Sequence, residues 1–315
     1  MPNTDEDLRQ LPRTVAVTGA LGFVAAHLLP CLSSAGVRTL AVVRPGRDVA
    51  ALTRFAGLEV RRANLSEPGS LGGAFEGADA VVHLAGLALV PTFLPALLGA
   101  AVRAGTFVSS AGVHTQLLSA GADAKRAGES ALRDSPLSYT ILRPSMIYGT
   151  PRDRNMVRLI RWLDRIPVVP APLGGVTPQQ PVHVDDLVDA IVVSLARTDP
   201  RAWPAGAASR EYDVGGPQPL SLREIVHTTA RALGRRAWIV PIPIAPAYAL
   251  AIGARRLRLP FPVRPEQVLR LTESKAVDIT PARRDLGFAP RSFQSGIETE
   301  VALYRQGEGA RAGVS

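Results

Sequence analysis

Cysteine occurs once in 315 residues, at Cys31, so the chain has no internal disulfide framework and a cytoplasmic, reducing setting is the expectation. Lysine is almost absent: of 36 basic residues only Lys125 and Lys275 are lysine. A chain that relies so heavily on arginine keeps lysine where a compact ammonium serves and a planar fork does not, which singles out Lys125. Aromatic residues make up 5% and do not interleave with the scattered arginines. The net charge of +9 therefore points away from nucleic acid and towards small anionic ligands. The polar, acidic start Met-Pro-Asn-Thr-Asp-Glu-Asp lacks the basic and apolar regions of a secretory signal. An uncharged stretch, Ala237–Ala254, is interrupted by Pro241, Pro243 and Pro246, so no integral membrane segment is expected there. A strand entering a buried helix over Tyr248–Leu257 is the expectation, and a surface-docking segment the alternative. None of the five tyrosines is followed four residues later by lysine.

What is present begins at residues 14–23, Thr-Val-Ala-Val-Thr-Gly-Ala-Leu-Gly-Phe, an apolar run breaking into a glycine turn. The run suits a buried parallel strand. Gly19 allows a sharp turn, and Gly22, between Leu21 and Phe23, allows close approach of a dinucleotide pyrophosphate to a helix N-terminus. The spacing then predicts strands over 37–44, 58–63, 79–84, 106–110 and 138–143, and helices over 22–35, 48–56, 69–76, 92–104 and 122–134. This alternation predicts an α/β fold, a Rossmann-type doubly wound parallel sheet whose ligand lies beyond the carboxyl ends of the strands. The dinucleotide-binding domain is expected over 12–150. A smaller, mostly helical substrate lobe, partly interleaved with the sheet, is expected over 151–306, with helices near 155–165, 185–197, 221–233, 247–258 and 265–271. Residues 1–11 and 307–315 are expected to be flexible. The apolar, proline-rich segments around 166–176 and 238–249 suggest a lid over a less polar substrate.

Six stretches in order resemble the extended short-chain dehydrogenase/reductase superfamily, the NAD-dependent epimerase/dehydratase group. They are Thr18–Phe23, Asp79–Gly86, Phe107–Ser110, Leu142–Gly149, Pro181–Leu187 and Tyr212–Gly216. Gln180–Val184 and the late Glu273–Asp278 and Asp285–Phe288 resemble an atypical branch related to the NADPH-binding accessory subunit of complex I. The resemblance implies cofactor contacts at Gly19, Leu21, Gly22, Phe23, Asn64, Leu65, Ala85, Gly86 and Pro144, with Lys125 on the nicotinamide ribose. Arg44 and Arg47 stand where an NAD-selective site has an acid, so NADP(H) is expected, with NAD(H) the alternative.

Catalysis departs from the family pattern. Ser110 and Lys125 match its serine and lysine, but the tyrosine position falls on Gly121, which has no proton to give. His114, four residues past Ser110, and Tyr148 are the alternative donors. The expectation is an NAD(P)(H)-dependent oxidoreductase or epimerase-type enzyme acting on a small organic carbonyl or alcohol. The alternatives are a redox-neutral cyclase or isomerase and a non-catalytic NADP(H)-binding protein. No metal is expected, because Asp185 and Asp186 read as the start of a helix. A homodimer through helices 92–104 and 122–134 is a further possibility, although their apolar content equally suits packing within one chain.

Overall fold

A computed structural model describes residues 8–153, 155–197, 210–246, 253 and 272–312. The expected helices 247–258 and 265–271 lie outside the described residues, residue 253 apart, as do residues 1–7. The chain divides into two compact units: residues 1–144, 184–214 and 278–289 form the first, and residues 145–183, 215–277 and 290–315 the second.

The first unit is built on a seven-stranded sheet with every pairing parallel. Its strands are β1 (Thr14–Thr18), β2 (Arg38–Val43), β3 (Leu58–Arg62), β4 (Ala80–His83), β5 (Ala104–Val108), β6 (Ser138–Pro144) and β7 (Arg210–Val214). Their spatial order is β7-β6-β5-β4-β1-β2-β3. Central strands are mostly apolar because helices cover both faces: Val15, Ala16 and Val17 are fully buried, as is every residue of β4. The edge strand β3 instead carries Glu59, Arg61 and Arg62, partly exposed. The order reverses beside β1, at the junction with β4. That is where an open α/β sheet leaves a crevice at the carboxyl ends.

The helices of this unit are α1 (Ala25–Ser34), α2 (Val90–Gly99), α3 (Ala120–Arg133), α4 (Val184–Ala196) and α5 (Thr280–Leu286). The apolar residues of α2, Val90, Phe93, Leu94 and Leu97, join Leu132 of α3 in the chain's own core. Asp185 and Asp186 lie in the first turn of α4, and Asp185 bonds His27 of α1 at 2.8 Å.

Two expected helices reduce to single 3-10 turns, at Ala50–Leu52 and Pro68–Ser70. Residues 69–76 hold Gly69, Gly72 and Gly73, each costing a helix about 1 kcal/mol relative to alanine. β5 begins two residues earlier than expected. Gly105 reads as a strand breaker, yet a Cβ there would lie 2.5 Å from Val81 Cγ1, so close packing between β4 and β5 requires it.

The second unit packs helices Met156–Leu163, Leu222–Ala232 and Phe293–Ala312. Three two-stranded ribbons, absent from the expectation of a mostly helical lobe, join them. One of these pairs Val168–Pro172 with Trp238–Ile242, bringing together the two proline-rich segments suspected of forming a lid. Pro170 and Pro172 hid the first strand from a period-two reading, whereas a strand leading towards residues 248–257 was expected over the second. The last helix runs to Ala312, past the point at 307 where flexibility was expected.

Candidate functional site

The glycine turn lies at the carboxyl end of β1. Gly19 has φ +70°, and a Cβ there would stand 2.9 Å from the carbonyl carbon of Leu84. Conformation and space both require glycine. Gly22 N–H donates to Gly19 O at 2.8 Å, and a Cβ on Gly22 would lie 3.0 Å from that oxygen. The turn opens α1, whose N-terminus has no side-chain cap, the kind of helix end that suits an anion. Ala25, in the third-glycine position, is fully buried where α1 packs on the sheet. Leu21 is half-buried, and Phe23 packs edge-on against His27 with centroids 5.5 Å apart. These features bring backbone close to the uncapped end of a helix, a geometry suited to an anionic group.

The neighbouring loop, Leu84–Gly86, is held by His83. This ring is fully buried and bonds Thr18 at Nδ1 (2.8 Å) and the Gly86 carbonyl at Nε2 (2.9 Å). A carbonyl only accepts, so Nε2 carries the proton and Nδ1 accepts from the Thr18 hydroxyl. Burial pushes the His83 imidazole down to about 4, with the Gly86 bond partly opposing, so the ring is neutral at physiological pH. Ala85 is exposed beside Gly86, whose φ is +99°.

At the carboxyl end of β2, Arg44 and Arg47 are exposed on one turn closed by Arg47 N–H to Arg44 O (3.3 Å). Arg62, at the end of β3, donates to the Arg47 carbonyl at 2.7 Å and adds a third guanidinium. Sequence reasoning missed Arg62, although its place at the end of the strand beside β2 was a usable signal. Asn64 donates to Glu67 (2.6 Å) and accepts from Ser66 N–H (3.2 Å), so both of its side-chain polar atoms shape its own turn. Leu65 is buried in the core. Neither Asn64 nor Leu65 behaves as an open cofactor contact.

β5 ends in two serines of opposite direction. Ser109 donates to Glu129 at 2.7 Å, joining a network in which Arg143 grips Glu129 through two nitrogens (2.9 and 2.6 Å) and also bonds Glu211. Burial would raise the Glu129 carboxyl, but the Arg143 and Ser109 bonds outweigh it and hold the group below the usual carboxylate range. This network ties α3, β6 and β7 together beneath the site. Ser110 points the other way, half-buried, and its Oγ accepts from Gly112 N–H at 3.1 Å. That leaves the hydroxyl proton free to donate. Pro144 closes β6, buried.

His114 ends the 3-10 turn Ala111–His114 that follows Ser110. Its Nε2 meets both carboxylate oxygens of Asp213, at 2.9 and 3.1 Å. Asp213, at the carboxyl end of β7, was not singled out from the sequence, since nothing local links residues 99 apart. Arg126 of α3 braces the same turn by donating to the carbonyls of Val113 and Thr115, at 2.8 Å each. Ser110, His114 and Asp213 are thereby joined to the helix that carries Gly121 and, one turn later, Lys125. α3 itself approaches the loop after Gly86 so closely that a Cβ on Gly128 would lie 2.0 Å from Leu87 O. Gly121, in contrast, is exposed, with only Ser119 Oγ near, at 3.9 Å.

Tyr148 needs correction as a proton donor. It lies in the second unit, 1% exposed, with its ring 5.2 Å from Phe293 and 5.3 Å from His183. A Cβ on Gly296 would reach within 2.2 Å of its hydroxyl oxygen. The phenol fills a core and is not presented to a substrate.

Known proteins resemble this chain in sequence and in fold. Residues 19–161 match a family model described as NAD(P)H-binding. A ceramide reductase of Caulobacter vibrioides is 35% identical over 198 residues, 58% of this chain and 61% of that protein. The mitochondrial NADH dehydrogenase (ubiquinone) 1 alpha subcomplex subunit 9 of Arabidopsis thaliana is 33% identical over 129 residues, 40% of this chain and 30% of that protein. The chain thus spans less than two thirds of either relative. The solved structure of MoeE5 in complex with UDP-glucose and NAD has a TM-score of 0.68 at 24% identity, covering 94% of this chain and 99% of that one, and shows the fold. The fold is thus a Rossmann-like α/β fold, and residues 19–161 are similar to an NAD(P)H-binding domain. Among the described residues no helix is long and apolar enough to cross a membrane.

Proposed function

We propose that this chain is an NADP(H)-dependent oxidoreductase that reduces a carbonyl group, or oxidises the matching alcohol, on a predominantly apolar substrate. The observation that carries this reading is the Asp213–His114 pair on the loop that also bears Ser110. It supplies a proton donor in a site whose position 121 has none.

The residues present fit the dinucleotide. Gly19 and Gly22 would receive the pyrophosphate, Arg44, Arg47 and Arg62 the 2′-phosphate, and Lys125 the nicotinamide ribose. When bound, the nicotinamide supplies or accepts the hydride. Ser110, accepting from Gly112, donates its own proton to the substrate oxygen and holds it in place. His114 delivers the proton that this oxygen takes up. Nε2 is engaged by the Asp213 carboxylate, so Nδ1 is the delivering atom, and Asp213 holds the ring in place for transfer. An apolar substrate accords with the name of the ceramide reductase relative.

The test has two stages. Titration with NADPH and NADH, followed by nicotinamide fluorescence, should show NADPH preference. Arg44→Ala should weaken NADPH about tenfold, roughly 1.4 kcal/mol. With a long-chain ketone as substrate, Ser110→Ala and His114→Ala should each lower turnover about a hundredfold or more at unchanged NADPH affinity. Turnover indifferent to both substitutions removes the mechanism and favours cofactor binding without redox chemistry.

A further inference from the structure

The second unit presents an apolar surface bordered by arginine. In the ribbon of Val168–Pro172 and Trp238–Ile242, Trp238 stands opposite Val168 and Val240 opposite Pro170. Alternate residues turn inward: Val169 and Ile239 pack on the core formed with Ile160, Ile225 and Val226. The outward residues should then be polar, because a half-buried sheet keeps its wet face hydrophilic. They are not: Trp238 is 66% exposed, Val240 45% and Val168 38%. Leu173 and Val176, just beyond the first strand, are 53% and 59% exposed. Trp162 lies at the edge of the same ribbon, with its indole N–H bonded to Val168 O at 2.8 Å and its ring partly open. A contiguous apolar patch of this kind on a folded chain marks a binding surface.

Its border identifies the partner. A groove of about 710 Å³ beside Trp238 is lined by Arg223, Arg231, Arg235 and Arg236. Over residues 156–176 and 220–242 the sequence holds seven arginines against two carboxylates, Asp164 and Glu224. Asp164 is bonded to Arg235 (3.2 Å) and Glu224 to the start of its own helix at Ser221 (2.7 Å), so both acids are engaged locally. Tryptophan and aliphatic residues surrounded by guanidinium groups match an interface where acyl chains meet anionic headgroups.

We propose that this face is a peripheral membrane-docking surface that seats on anionic phospholipid, with Trp238, Val240 and Val168 entering the acyl boundary and the arginines meeting phosphate. Arginine suits this place because its planar fork binds phosphate oxygens in pairs.

The experiment uses the full chain and sedimenting vesicles of phosphatidylcholine, with or without about 30% phosphatidylglycerol. Binding to the anionic vesicles, absent with phosphatidylcholine alone and weakened by added salt, is expected. Trp238→Ser with Val240→Ser, and separately Arg231→Glu with Arg236→Glu, should each lower partitioning at least about tenfold. Both pairs are surface changes, and unaltered thermal melting should confirm an intact fold. Failure to bind either vesicle, or equal binding to both, overturns the proposal. A concentration-dependent dimer that Trp238→Ser disperses, without vesicle binding, overturns it in favour of a second copy of the chain on this face.

Discussion

Replacing Glu300 by glutamine should stabilise the protein more and more as pH rises. Glu300, on the helix Phe293–Ala312, is fully buried, and its Oε2 accepts from Gly149 N–H at 2.9 Å. The Asp153 carboxylate faces it, held by Oδ1 on the N–H groups of Asn155 (2.6 Å) and Met156 (2.7 Å). Among the described residues, Glu300 Oε1 and Asp153 Oδ2 have no hydrogen-bond partner although both are buried. One proton shared between the two carboxyls satisfies both oxygens. Burial first, and then Asp153, push the Glu300 carboxyl up to about 9, with the Gly149 bond partly opposing.

Between the ordinary carboxyl value and 9 the folded chain therefore holds a proton that the unfolded chain has released. The stabilising contribution of Glu300 is complete below the ordinary carboxyl range and declines as pH rises towards 9. One proton gives a slope of at most about 1.4 kcal/mol per pH unit. Glutamine is neutral at every pH, keeps an acceptor for Gly149 and offers a donor to Asp153. The gap in unfolding free energy between Glu300→Gln and the parent should widen by about 1 kcal/mol per unit, reaching about 3 kcal/mol between pH 5 and pH 8. Urea unfolding followed by far-ultraviolet circular dichroism at several pH values measures it. Parallel pH curves for the two proteins, or a variant that weakens as pH rises, would refute the shared proton.

Three further predictions concern the first unit. His83, pushed down to about 4 from an ordinary 6.5, stabilises the fold above pH 6.5, and this contribution is lost as pH falls through 4, by about 3 kcal/mol in all. In His83→Phe, which suits a ring lying 4.8 Å from Phe93, the acid slope of thermal stability should flatten, and an unchanged slope assigns it to other groups. Gly128→Ala should cost about 2 kcal/mol or more in thermal unfolding, since the added Cβ meets Leu87 O at 2.0 Å and overpacking outweighs the helix propensity of alanine. A stabilised variant would mean that α3 shifts freely. Gly121→Tyr, entering open space, should fold normally and restore at least about tenfold of the turnover lost in His114→Ala. No restoration would show that a phenol four residues before Lys125 cannot serve this site.

The parallel sheet was legible because its central strands are apolar on both faces and separated by glycine turns. β1 appears where Thr14–Thr18 predicted it, and Gly19 has the positive φ that its turn required. What stayed hidden depended on distance along the chain or on proline. Asp213 meets His114 across 99 residues, and Arg62 reaches the Arg47 carbonyl only because β2 and β3 are neighbours. The ribbon strand 168–172 carries two prolines, Pro170 and Pro172, so its alternation was masked. Tyr148 misled for the opposite reason. Its place just after the sixth strand made it a candidate donor, whereas Gly296 and Phe293, nearly 150 residues on, enclose it.

Gly121 and Gly128 show why composition alone cannot assign a glycine's role. Both lie on α3, seven residues apart, and each costs the helix about the same in propensity. Gly128 is required, because helix and loop backbone touch there and any side chain would push α3 away from Leu87. Gly121 faces open space and meets no such demand. The first glycine therefore marks a missing side chain and the second a close approach. Close approach at Gly128 sets the helix that presents Lys125, and Arg126 of the same helix holds the turn carrying His114. Rigid backbone contact on one side of α3 thus positions the groups on which the proposed proton relay depends, in place of the tyrosine that position 121 lacks.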